Sequence, residues 1–375
     1  MNGNIRVGNL FGIPFYVNPS WFLVLGLVTW TYGNGLAAQF PYLVAGVPLV
    51  LGLVTALLLF SSVVAHELGH SFVALRQGIA VNSITLFLFG GLASLEKESQ
   101  TPGDAFWVAI AGPLVSFLIF GIATLVGGSL QLEGPIGTIL GLIAYMNLSL
   151  GIFNLIPGLP LDGGNILKAA VWKITGNPYK GVKFASRVGQ VFGWVAIASG
   201  VIPFFITGSL ANIWNVLIGS FLLQNAGRSA QYARVQEQFV GLTAADAVTP
   251  NGPIVLHSLT LRAFADKLIL SRDNNWRSFL VVDAEGKLVG AIAVDVLQTI
   301  PTERWASTLV GELIKPVEAS NTIDSEQPLL EVVKLLEETK ISTLTVIGEN
   351  GVLVGLLEKA SILNLLQRRA QTSPA

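Results

Sequence analysis

His66-Glu67-Leu68-Gly69-His70 lies inside Ser61 to Leu75, which continues an apolar run from Leu49 to Phe60. On a helix, side chains four apart share a face one turn apart, so both imidazoles can reach one metal ion with Glu67 beside the first. Two of the chain's three histidines are here, and with no cysteine any metal must be held by His, Asp or Glu. A Zn²⁺ ion on two imidazoles, one further protein ligand and an exchangeable water makes hydroxide available near neutrality. Glu67 is placed to accept the proton from that water. Ionisable groups at membrane depth are expensive, which makes their presence there a functional signal.

The third ligand must come from elsewhere, and Asp162 is the candidate. It lies in Asn154-Leu-Ile-Pro-Gly-Leu-Pro-Leu-Asp-Gly-Gly164, directly after an apolar stretch that ends at the same depth as the histidine pair. Pro157, Gly158, Pro160, Gly163 and Gly164 break the helix there, and broken backbone at membrane depth is tolerated where it lines a cavity. A carboxylate in such a turn could also serve as a helix cap. The histidine pair at matching depth favours ligation. Asn154 reads either as a helix-packing amide or as part of the site.

These residues need a scaffold, and composition says what kind. Of 375 residues 52% are hydrophobic and 12% charged, which is a membrane protein's balance. Residues 1–227 hold only 8 of the 22 Lys/Arg and 6 of the 23 Asp/Glu, so an apolar front precedes an ordinary soluble tail. A net charge of −1 gives no basic surface for nucleic acid. The N-terminus lacks the pattern of a cleaved signal, so the first apolar span is expected to stay in the membrane.

Stretches of spanning length occur near 15–33, 47–75, 104–127, 135–156, 186–206 and 210–226. Six spans put both termini on one side. Arg6, Arg76, Lys97, Lys168, Lys173, Lys180, Lys183, Arg187, Arg228 and Arg234 all fall on that side, which the positive-inside rule makes cytoplasmic or its organellar equivalent. His66 then sits roughly 14 Å before the cytoplasmic end of the second span. Between spans two and three, residues 81–95 are β-rich and interrupted by Gly90-Gly91, the pattern of a hairpin. An apolar hairpin cannot face lipid with open edges, but it can line a cavity and pair with an extended peptide. Gly112-Pro113 in the third span reads as a close-packing and kink site, and His257 in the tail as an ordinary histidine.

His66-Glu-Leu-Gly-His70 in a span, followed by Asn154-Leu-Ile-Pro157 and Leu161-Asp162-Gly163, resembles the site-2 protease family of intramembrane zinc metalloproteases over about residues 1–227. The resemblance implies that His66, His70 and Asp162 bind zinc, that Glu67 is the base, and that Asn154 binds the substrate carbonyl or oxyanion. It implies a single-span membrane protein as substrate. Asn18, in Val17-Asn-Pro-Ser-Trp21, stands where relatives often carry His.

The tail is a duplication. Phe279 to Gly290 aligns with Leu344 to Gly355, and Gly286 and Gly290 each recur 65 residues later. Each unit begins near a proline, Pro250 or Pro316, and runs amphipathic helix, strand, glycine turn, strand. This resembles a pair of cystathionine-β-synthase (CBS) domains, which often bind adenine nucleotides. Many nucleotide-binding members follow the second strand's glycine with Thr or Ser and then Asp; here Asp295 falls one place early and Ser361 holds the usual Asp position. The module's expected work is to sense an adenine nucleotide or to mediate homodimerisation.

The sequence therefore predicts a polytopic α-helical membrane protein of about six transmembrane helices with a membrane-associated β-hairpin, plus a soluble α/β tandem CBS module. The expected division is 1–227 membrane metalloprotease, 228–243 linker, 244–306 and 307–369 CBS repeats, and 370–375 disordered tail. The expected activity is intramembrane zinc endopeptidase, with lipid bilayer and membrane-protein substrate as partners. A CBS-gated channel or transporter with a metal site is the alternative, though a transporter would spread its ionisable groups along a path across the bilayer. A purely structural metal site would be closed by four ligands and need no adjacent base.

Overall fold

The computed structural model of the chain describes residues 3–87, 90–209, 212–249, 252–270, 276–317 and 321–372. The chain divides into two compact units, 1–234 and 235–375.

The first unit opens with β1 (Ile5–Leu10) and β2 (Ile13–Val17), followed by α1 (Pro19–Gln39) and α2 (Val47–Arg76). Next come β3 (Val81–Phe87), β4 (Gly90–Leu95), α3 (Pro102–Ser129), α4 (Gly134–Asn154), α5 (Asp162–Thr175), α6 (Pro178–Thr207) and α7 (Ile213–Gln238). Among the described residues four helices, α2, α3, α4 and α6, are long and apolar enough to cross a membrane. α1 and α7 coincide with the first and last expected spans but are not among those four. α7 also runs to Gln238, so much of the expected 228–243 linker is helical.

These helices are apolar on the outside. α2 buries Gly52, Thr55, Ala56, Ser62, His66, Gly69 and Ser71, while Leu49, Val50, Leu53, Leu57 and Leu58 are exposed. α3 buries Ala109, Ala111, Gly112 and Ser116 and exposes Leu114, Leu118, Ile122 and Leu125. Small residues let helix backbones approach in lipid, where large side chains gain nothing by hiding. On that pattern the first unit is a multi-pass membrane protein.

The expected hairpin forms, β3 against β4, with Leu88 and Phe89 of its tip outside the described residues. It belongs to a larger sheet of order β1-β2-β3-β4, in which β2 runs parallel to β3 with Phe15, Tyr16 and Val17 opposite Ile84, Thr85 and Leu86. Ile13, Ala74, Ile79, Val81 and Ile84 form the core that seats this sheet on α2. Asn18 ties the corner: its side chain accepts from Ser20 N at 3.0 Å as the cap of α1, and its own N–H reaches Leu86 O at 2.8 Å. β4 is left as an edge.

In the second unit β5 (Ile254–Leu256), α8 (Leu261–Leu270), β6 (Ser278–Val282), β7 (Leu288–Ala293) and α9 (Val296–Thr299) form one repeat. β8 (Thr322–Asp324), α10 (Leu329–Thr339), β9 (Thr343–Ile347), β10 (Leu353–Glu358) and α11 (Lys359–Thr372) form the other. In both, the first strand pairs parallel with the second and the second antiparallel with the third. Gly286 and Gly351 make the hairpin turns with φ of 82° and 78°, a region that favours glycine. The lead-in to each repeat bonds to the other one: Thr249 N donates to Leu356 O, and Gly311 N to His257 O. Pro250 lies outside the described residues, as do 373–375 of the expected disordered tail; 370–372 belong to α11.

Candidate metal and catalytic site

α2 carries His66 and His70 on its buried face, and α5 begins with Asp162. Asp162 reaches them because the turn before it is fastened to α6: Leu159 N donates to Ala185 O at 3.1 Å, and Gly158 packs on the backbone of Gly189. A carboxylate in the first turn of a helix also meets the positive end of its dipole.

Asp162 Oδ2 lies 3.1 Å from His66 Nε2 and 3.4 Å from His70 Nε2, and the two Nε2 atoms are 3.3 Å apart. Three donors on a tetrahedral zinc, at about 2.0–2.1 Å each, would be about 3.3–3.4 Å from one another. The triangle in the protein therefore has the edge lengths such an ion requires. One vertex of the tetrahedron is left for a non-protein ligand. His66, His70 and Asp162 could thus hold a metal ion.

The imidazoles are held from behind by α3. His70 Nδ1–H donates to Val108 O at 2.6 Å, which leaves the Nε2 lone pair free for a metal. His66 Nδ1 lies 2.9 Å from Ser116 Oγ, and both residues are buried. Between these contacts sits Gly112, where a Cβ would fall 2.6 Å from His66 Nε2 and closer still to His70 Nε2. Gly112-Pro113 does pack closely, as its sequence suggests, but what it packs on is the pair of imidazoles. One turn back along α2, buried Asn147 of α4 donates to Ser62 Oγ at 3.1 Å and braces α2 against α4.

Glu67 points toward β4. A Cβ on Gly91 would lie 3.1 Å from Glu67 Oε1 and nearer its Cγ, and the backbone of Ala93 hydrogen-bonds the carboxylate. The open edge of β4 therefore borders the acid that neighbours His66, His70 and Asp162. Asn154 is the last residue of α4 and half-buried. Among the described residues its side chain makes no hydrogen bond to His66, Glu67, His70 or Asp162, so the structure brings four of the five candidates together and places the fifth at the start of the Asp162 turn. His257 is half-buried in the second unit, far along the chain from this group.

Ser116, Val108, Gly112 and Gly91 were not assigned to the site from sequence. Ser116 alone carries a usable signal: a hydroxyl one turn after Gly112 in an otherwise apolar helix. Val108 acts through its carbonyl, which side-chain identity does not disclose.

Comparison with known proteins places these residues in context. The profile of peptidase family M50 matches residues 54–137 and 128–196, which include His66, Glu67, His70, Asn154 and Asp162, and the CBS domain profile matches 310–368. The chain is similar to a Synechocystis protein named "Putative zinc metalloprotease sll0528", 56% identical over 99% of this chain and 97% of that one. It is also similar to zinc metalloprotease MJ0392 of Methanocaldococcus jannaschii, 28% identical over 98% of this chain and 97% of the relative. A solved site-2 protease from the same archaeon aligns at 30% identity and a TM-score of 0.43, covering 60% of this chain and 95% of its own.

Proposed function

The chain belongs to peptidase family M50, the site-2 proteases, and on that premise we propose that it is a zinc endopeptidase that hydrolyses peptide bonds within transmembrane helices of single-span substrate proteins. The observation that carries the reading is the His66–His70–Asp162 triangle, with zinc-sized edges and a carboxylate beside it.

α1, α2, α3, α4, α6 and α7 are the six spans of this reading, with both termini on the cytoplasmic side. A bound Zn²⁺ supplies a polarised scissile carbonyl and an acidified water. Glu67 takes the proton from the attacking water on a carboxylate oxygen and returns it to the leaving amine. Asn154 donates from its side-chain amide to the developing oxyanion. The buried imidazoles keep their orientation through Val108 O and Ser116 Oγ, so nothing has to rearrange as charge develops.

A substrate helix hides its carbonyls in internal hydrogen bonds and must be unwound before attack. Strand addition to the open edge of β4 would hold the unwound segment extended, and Ala93 on that strand is the residue whose backbone meets Glu67. The tail acts as a cytoplasmic regulatory module. Its work on this reading is to sense an adenine nucleotide or to mediate homodimerisation; Ser361, at the position usually held by Asp, engages its hydroxyl locally, donating to Glu358 O at 2.8 Å and accepting from Glu358 N at 3.1 Å.

The test compares wild type with Glu67→Gln in liposomes, using a tagged single-span reporter and measuring zinc on both proteins. The reading requires zinc in each and cleavage only by wild type. Absence of zinc from the wild type overturns it. No heat on adding AMP, ATP or S-adenosylmethionine to the full chain would overturn nucleotide sensing.

A further inference from the structure

A polar cavity in the first unit is lined by none of the residues of the metal triangle. It has a volume of about 240 Å³ and is lined by Lys183, Arg187 and Gln190 of α6 and Ala230 and Arg234 of α7. Lys183 and Arg187 are one turn apart on one face of α6. Arg234 approaches from α7, which packs on α6 through glycines: Gly193 lies against Gly219 O and Leu223, and Gly200 against Asn212 O and Val216. Nearer the cavity, Gly227 leaves room for Gln190, whose Nε2 would lie 3.8 Å from an added Cβ. Three cationic side chains thus share one cavity, and among the described residues no carboxylate lines it. Arg187 and Arg234 are exposed and make no ion pair or side-chain hydrogen bond among the described residues. Like charges gathered in one place repel one another, and an anion in the cavity would lower that cost.

The position along the helices says which anion. After Arg187, residues 188–207 of α6 carry no charge, and residues 213–227 of α7 carry none before Arg228 and Arg234. The cavity therefore opens where the apolar lengths of both helices begin, at the level of lipid headgroups, and on the side with the concentration of Lys and Arg. Basic pockets between membrane helices on the cytoplasmic side suit phosphorylated headgroups. The long stems of Lys183 and Arg187 can lie along the apolar helix while their charged ends reach the phosphate.

We propose that this cavity binds the phosphate of an anionic phospholipid, with Lys183, Arg187 and Arg234 supplying the charge and Gln190 a neutral donor. Inorganic phosphate shares that chemistry; the lipid is favoured because of the depth at which the cavity opens. The inference rests on the membrane placement proposed above, and on neither the zinc nor the proteolysis.

The test uses the full chain in nanodiscs of phosphatidylcholine with and without phosphatidylglycerol, counting retained lipids by native mass spectrometry. Wild type should retain phosphatidylglycerol in preference to phosphatidylcholine. Arg187→Gln with Arg234→Gln should weaken that retention roughly thirtyfold, at about fivefold per cation removed near an anionic surface, and Arg187→Lys with Arg234→Lys should largely restore it. Zinc content serves as the control for folding. If wild type shows no preference, or the Gln variant with normal zinc retains the lipid as wild type does, the proposal fails. It also fails if inorganic phosphate displaces the lipid fully, since the site would then belong to a soluble anion. Because lipid retention is read without any substrate, failure here leaves the protease reading untouched, and an inactive protease leaves this one untouched.

Discussion

Replacing Gly112 with alanine separates the metal site from the helix that supports it. The new Cβ would stand 2.6 Å from His66 Nε2 and closer to His70 Nε2, inside the contact distance of either atom. α3 cannot yield easily, since its backbone at Ala111 already touches α2 at Gly69, where a Cβ would be 2.9 Å from Ala111 O. The imidazoles must therefore turn, which breaks the 3.1–3.4 Å triangle and the bonds to Val108 O and Ser116 Oγ. Losing one supporting hydrogen bond behind a metal ligand costs about 10–100-fold in affinity, so moving the ligand atoms themselves should exceed about 100-fold, or more than about 2.7 kcal/mol. The helix itself should not suffer, because alanine is a better helix former than glycine by about 0.8–1.0 kcal/mol. The control is Gly121→Ala in the same helix, where a Cβ would meet nothing within 4 Å. Zinc affinity is measured by competition with a chromophoric chelator, and stability by thermal melting of the metal-free protein. The expected outcome is a Gly112→Ala protein that binds zinc poorly and melts somewhat below wild type, since leaving a buried polar group unpaired costs about 1–3 kcal/mol, beside a Gly121→Ala protein normal in both. Wild-type zinc affinity in Gly112→Ala would refute the placement of the imidazoles against α3.

Ser116→Ala should lower zinc affinity by about 10–100-fold with little change in melting, read by the same competition assay. Gly91→Ala should push Glu67 aside and lower kcat while leaving zinc content intact, because its Cβ meets Glu67 and no ligand atom. Asn154→Ala should cost about 10²–10³ in kcat with zinc unchanged if its amide serves the oxyanion, and an unchanged kcat would return Asn154 to packing. Glu98→Gln removes the 2.6 Å ion pair with Lys168. Since Glu98 is mostly exposed, melting should shift by the equivalent of less than about 1 kcal/mol.

The site was legible in the sequence to the extent that its groups are conspicuous in an apolar chain. His66, Glu67, His70 and Asp162 are ionisable residues where lipid-facing helices carry almost none, and the four-residue spacing of His66 and His70 on one helix face states their common direction. The hairpin at 81–95 was legible because its pairing is local. Its extension into a four-stranded sheet was not, because β2 meets β3 across the whole of α1 and α2, and parallel pairing leaves no turn residues to mark it. Asn18 illustrates the same limit: its cap on α1 is local, but its anchoring of β3 depends on a partner 68 residues away, Leu86. α5 was hidden by the Pro and Gly residues before it, which announce a broken helix without announcing where the next begins. Its first residue is Asp162 itself.

The third corner of the metal triangle comes 96 residues after the first, on a different helix. Made at about 5–20 residues per second, a chain that has just delivered its histidine pair must wait roughly 5–20 s before Asp162 is even synthesised. During that interval the nascent membrane domain carries an incomplete metal site. Only when α3 has supplied Val108 and Ser116, and the turn before α5 has docked on α6, are the three donors held together. The wide separation of the three candidate donors along the chain thus ties completion of the triangle to completion of the helices around it.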